Sequence, residues 1–70
     1  MEFSTQNIKF AYESFKRGDR ISNTELEMLL VVIKNAVPFL EAHPAFQLTL
    51  REARMDLIML DQIQKERKSA

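Results

Sequence analysis

Apolar positions fall into three helical patterns separated by two breaks. In the first, Ile8, Ala11, Tyr12 and Phe15 stand at i, i+3, i+4 and i+7 and share one face, which predicts a helix over 5–17. Ser4 or Thr5 caps its start. Gly18 ends it, because the position after a helix commonly takes the left-handed conformation that only glycine reaches without a steric penalty. Phe10 lies nearly opposite Ile8, so it contacts a later helix or a partner, or it is exposed.

The second helix has the most specific local signal. Ser22, Asn23, Thr24 and Glu25 form a capping box, in which the Ser hydroxyl and the Glu carboxylate each satisfy an amide that the helix start would leave orphaned. Ile21 and Leu26 occupy the two positions of a hydrophobic staple around it. The helix is expected over 23–36. Pro38 disfavours helical geometry at Val37 and removes the bond to the Lys34 carbonyl, although a kinked continuation through Ala42 is the alternative.

Pro44 suits the first position of a third helix, expected over 44–65, with His43 before it as cap or linker. Phe46, Leu50, Ala53, Leu57 and Leu60 alternate spacings of four and three, a coiled-coil-like seam. Asp61 and Lys65 make an i, i+4 ion pair, and residues 66–70 read as a frayed, solvated tail. The expected fold is all-α, a single domain over 1–70. In it a short N-terminal helix precedes an antiparallel hairpin of the second and third helices.

Two of these helices carry more apolar surface than one core contact uses. On the second, an arc through Leu26, Leu29, Leu30, Ile33, Ala36 and Val37 extends by way of Val32 to Met28, about 200° in all, where a stripe of about 100° suffices. On the third, Leu48, Met55 and Met59, flanked by Ile58 and Ile63, form a second stripe opposite the seam. Arg51, Glu52, Arg54, Asp56 and Asp61 fill the lanes between. A third helix of about 22 residues would rise about 33 Å and project from so small a globule. These features predict a homodimeric helical bundle with Met28, Val32, Leu48, Met55, Ile58 and Met59 at the dimer or partner interface. The alternative is that the first helix covers one of the excess stripes.

Composition narrows the function. Seventy residues with 46% hydrophobic and 29% charged side chains make one ordered domain, too short for most enzyme folds, with one Gly and two Pro against a many-stranded β protein. The absence of cysteine removes disulfides, thiolate zinc sites and thiol nucleophiles. A domain of this size buries only about 60% of the surface its unfolded chain exposes, so regular packing or oligomerisation must supply stability. Neither an export signal nor a membrane span is visible, and a cytoplasmic location is expected.

The chemical candidates are few. His43, the lone histidine, has no second imidazole for a metal and no nucleophile at a recognisable spacing. Glu25, Glu27 and Glu41 lack the loop spacing of a calcium site, and a lone Gly18 makes no phosphate loop. No catalytic, metal or cofactor site is expected. Charge is balanced at ten Lys+Arg to ten Asp+Glu. Nucleic-acid contact through Arg17, Arg20, Arg51 and Arg54 is therefore possible but not favoured, the more so because the second helix is too apolar and acidic to read a groove.

The stretches SNTELEMLL from Ser22, AVPFLE from Ala36 and FQLTLREARMDLIML from Phe46 resemble small uncharacterised accessory proteins encoded in the early regions of lambdoid bacteriophages and enteric prophages. The resemblance covers residues 22–60 and rests on a capped apolar helix, a proline break and a long helix. It implies a non-enzymatic regulator in the host cytoplasm that binds a host protein, and it transfers no functional residue.

Overall fold

A computed structural model describes residues 5–69, which form three α-helices and one short 3-10 turn, with no strand among the described residues. Helix α1 spans Thr5–Arg17, α2 spans Asn23–Glu41, and α3 spans Gln47–Ser69 after a 3-10 turn at Pro44–Phe46. The N-cap expected at Ser4 or Thr5 lies outside the described side chains. Gly18 ends α1 with φ of 84°. The Gly18 amide reaches the Phe15 carbonyl at 3.1 Å and the Asp19 amide the Ser14 carbonyl at 3.0 Å, so the last turn is closed before the chain leaves it.

The capping box forms as its residue types require. The Glu25 amide donates to Ser22 Oγ at 3.1 Å and the Ser22 amide to Glu25 Oε1 at 2.9 Å. Ile21 and Leu26, the staple pair, are both buried. Helix α2 then continues through Pro38 to Glu41, the alternative to a stop near Ala36. Pro38 and Lys34 both lie on the exposed side, where water can take the carbonyl that the proline leaves without a donor. Leu40 is buried one turn further on, so core burial favours keeping those residues helical.

Helix α2 is the centre of the molecule, packed against both α1 and α3. That placement explains its wide apolar arc. Leu26, Met28, Leu29, Leu30 and Ile33 are all buried, and Val32, Ala36 and Val37 are half-buried against the same core. The expectation that Met28 lies on an interface outside the chain is therefore corrected, while Val32 keeps a half-exposed side chain: α1 and α3 both pack against α2 and share its arc. From α1 the core takes Ala11 and Phe15, and from α3 it takes Leu50, Ala53 and Leu60, with Leu57 half-buried beside them.

The expected tail is helical as far as Ser69, the last described residue. Arg67 donates from Nη2 to the Ile21 carbonyl at 2.7 Å and from Nη1 to Asn23 Oδ1 at 2.8 Å, which ties the last turns of α3 to the start of α2. The Asp61–Lys65 pair forms at 3.1 Å. At 1.5 Å per residue the 23 residues of α3 rise about 35 Å, close to the longest dimension of the molecule, 39 × 25 × 21 Å.

Candidate functional site

Helix α3 has two contrasting flanks. The flank toward α1 holds Glu52 and Asp56, one turn apart, facing Tyr12 and Lys16, also one turn apart. Asp56 is only 2% exposed. Its Oδ2 accepts from the Tyr12 hydroxyl at 2.8 Å and its Oδ1 from Lys16 Nζ at 3.0 Å; the same Nζ reaches Glu52 Oε1 at 3.0 Å. A buried carboxylate is tolerated when opposite charge and hydrogen bonds replace the water it loses. No buried side-chain polar atom among the described residues lacks a partner.

This cluster shifts its members in a consistent way. Partial burial, then the hydrogen bond to Asp56, pushes the Tyr12 hydroxyl up from its ordinary value of 10.0 to about 12. Hydrogen bonds to Glu52 and Asp56 raise Lys16, and Lys16 in turn lowers the Glu52 carboxyl. All three shifts favour a protonated Tyr12 and Lys16 beside an ionised Glu52. The group is a clamp between α1 and α3 and contains no nucleophile poised for chemistry.

Sequence reading placed Asp56 among the solvated lanes and missed this clamp. The available signal was the i, i+4 pair of Tyr12 and Lys16 on the edge of the first apolar stripe, matched by Glu52 and Asp56 on the third helix.

The outer side of α3, which adjoins the flank toward α1, is left open by the described residues. Leu48 is 83% exposed, Ile58 68%, Met55 59% and Met59 54%. Of the expected interface residues these four are surface, whereas Met28 is buried in the core and Val32 half-buried against it. Leu48, Met55 and Ile58 share a shallow depression with Arg51 and Arg54, and neither arginine has a hydrogen bond or ion pair among the described residues.

The basic residues considered for nucleic acid do not come together. Arg17 pairs with Asp19 at 3.1 Å. Arg20 borders a different depression, formed by the loop after α1 together with Met59, Ile63 and Glu66. Arg51 and Arg54 stand apart from both on the outer flank.

A third feature lies at the junction of α2 and α3. The Phe39 and His43 rings stand 4.3 Å apart, with Phe46 6.1 Å from each. His43 provides no side-chain cap; its Nδ1 is 2.7 Å from the Phe39 carbonyl. A carbonyl only accepts, so Nδ1 carries the proton in this contact. Phe10, Phe39 and Phe46 are exposed.

Among the described residues no group of three His, Cys, Asp or Glu side chains is placed to hold a metal ion, and no helix is long and apolar enough to cross a membrane. Comparison with known proteins finds no matching family model, no matching curated protein and no matching solved structure.

Proposed function

We propose that this chain is a non-enzymatic regulatory protein that acts as a homodimer on a protein partner in the cytoplasm of a bacterial host, in the manner of the phage accessory proteins that residues 22–60 resemble. The observation that carries the reading is the outer flank of α3. Leu48, Met55, Ile58 and Met59 stay in water on a helix whose inner side is fully packed. Single exposed apolar residues are ordinary, whereas a row of four large ones on one helix side is characteristic of an interaction surface. Helices α2 and α3 form the antiparallel hairpin that presents this row, a reading supported by the short 3-10 connection and by the Arg67 contacts to Ile21 and Asn23.

The second reading is weak binding to a nucleic-acid backbone through Arg20, Arg51 and Arg54. The unpaired state of Arg51 and Arg54 favours it, and the separation of these groups and the Asp19 pairing of Arg17 count against it. One experiment tests both. Light scattering on the eluting protein is expected to give twice the chain mass for wild type and the chain mass for Ile58→Asp, with no retention on immobilised duplex DNA at low salt. A wild-type monomer retained on DNA, and released as salt rises, would replace the first reading by the second.

A further inference from the structure

The charge pattern along the outer flank of α3 specifies what covers it. Leu48 and Met55, seven residues apart, lie about 20° from each other around the helix, and Arg51 and Glu66 fall within about 40° of Met55 on the same strip. The N-terminal half of this strip is basic: Arg51 and Arg54 are unpaired, and Glu52 is committed to Lys16 of α1. Towards the C-terminal end Asp61 is held by Lys65, which leaves Glu66 as an unpaired acid. The strip is thus apolar in its middle, with the unpaired Arg51 and Arg54 at one end and, at the other, one unpaired acid, Glu66, at the edge of the depression that holds Arg20 and Arg67.

We infer that a second copy of this chain covers the strip with its own α3 running in the opposite direction, its Glu66 meeting Arg51 and the two-fold axis passing beside Ile58. This rests on the self-association proposed above and gives it a polarity and a register. In a parallel pair each residue on the strip faces its own copy, so Arg51 meets Arg51 and Glu66 meets Glu66, a repulsion at both ends. Reversal turns both into attractions. It also brings Met55, Ile58 and Met59 of the two copies together at the centre, where the unbranched methionines fill gaps between helices. Only helices packed along most of their length satisfy both ends at once, and α3, the longest element, provides that length.

The absence of native cysteine allows single nitroxide labels through Gln47→Cys and Gln62→Cys. With the axis beside Ile58, the two Gln47 positions are offset along the helices by roughly 33 Å and the two Gln62 positions by roughly 12 Å, from a rise of 1.5 Å per residue. Dipolar spectroscopy is expected to show a long distance for Gln47 and a short one for Gln62. Short distances at both sites would mean a parallel pair, overturning the inferred polarity while leaving self-association intact. Coupling at neither site would overturn self-association itself.

Charge exchange gives an independent readout. Arg51→Glu is expected to weaken the dimer on the order of tenfold, and adding Glu66→Arg to restore it. Failure of the double variant to recover, with both proteins fully helical, would contradict the Arg51–Glu66 pairing.

Discussion

The two flanks of α3 reverse the usual distribution of side chains. On the side facing α1 a carboxylate, Asp56, is buried with every polar atom paired, while on the outer side Leu48, Met55 and Ile58 stand in water. The difference lies in what each flank meets. The chain supplies Tyr12 and Lys16 to the first, so burial of charge is compensated there; the described residues supply nothing to the second. A flank completed within the chain serves stability, and one left incomplete is the place to look for function.

The largest contrast should appear on truncating a side chain from each side. Leu60 is 0% exposed, and Leu60→Ala is expected to cost about 2–5 kcal/mol in urea unfolding followed by circular dichroism. Under conditions where the protein is a monomer, Leu48→Ala should change stability by less than about 0.5 kcal/mol. Equal effects would remove the distinction between the two sides.

Within the clamp, Lys16→Met takes the cation from Asp56. A full loss of partner in a dry interior costs about 3–5 kcal/mol; because Lys16 is 40% exposed and water can replace it in part, about 1–3 kcal/mol is expected. Tyr12→Phe should cost about 1 kcal/mol, the net worth of one hydrogen bond. Adding Asp56→Asn to Lys16→Met should cost less than the sum of the two single changes, because the unpaired charge disappears.

The clamp also sets an alkaline limit. Tyr12 and Lys16 both hold their protons more tightly in the folded chain, so their contribution is complete below their unfolded values and is lost as pH rises through the folded ones. Tyr12 is the only tyrosine and there is no tryptophan, so its ultraviolet titration reads this directly. A midpoint near 12 is expected in the folded protein and near 10 in urea. At the acid end the lowered Glu52 carboxyl works in the opposite sense. Its contribution is present above the unfolded value and declines as pH falls through the folded one.

Features encoded locally could be read from the sequence. The capping box, the glycine stop, the Asp61–Lys65 pair and the outer stripe of α3 each depend on residues a few positions apart, and each stands where the spacing puts it. Features that depend on how helices meet could not. Pro38 carries a local stop signal that the burial of Leu40 overrides, and Arg67 resembles a tail residue until the end of α3 is placed beside Ile21. Met28 is surplus only to a single covering layer, and α2 has two helices against it. Asp56 required knowing on which side of α3 the first helix lies.

Sedimentation equilibrium across a hundredfold dilution, with helicity followed on the same samples, is the most direct measurement of whether the open flank of α3 binds a second copy. Wild type is expected to be dimeric at the concentrated end, and Ile58→Asp monomeric throughout with its helicity intact, since Ile58 contributes nothing to the chain's own core. A wild-type protein that is monomeric and fully helical at every concentration would contradict self-association and leave Leu48, Met55 and Ile58 exposed in the functional molecule.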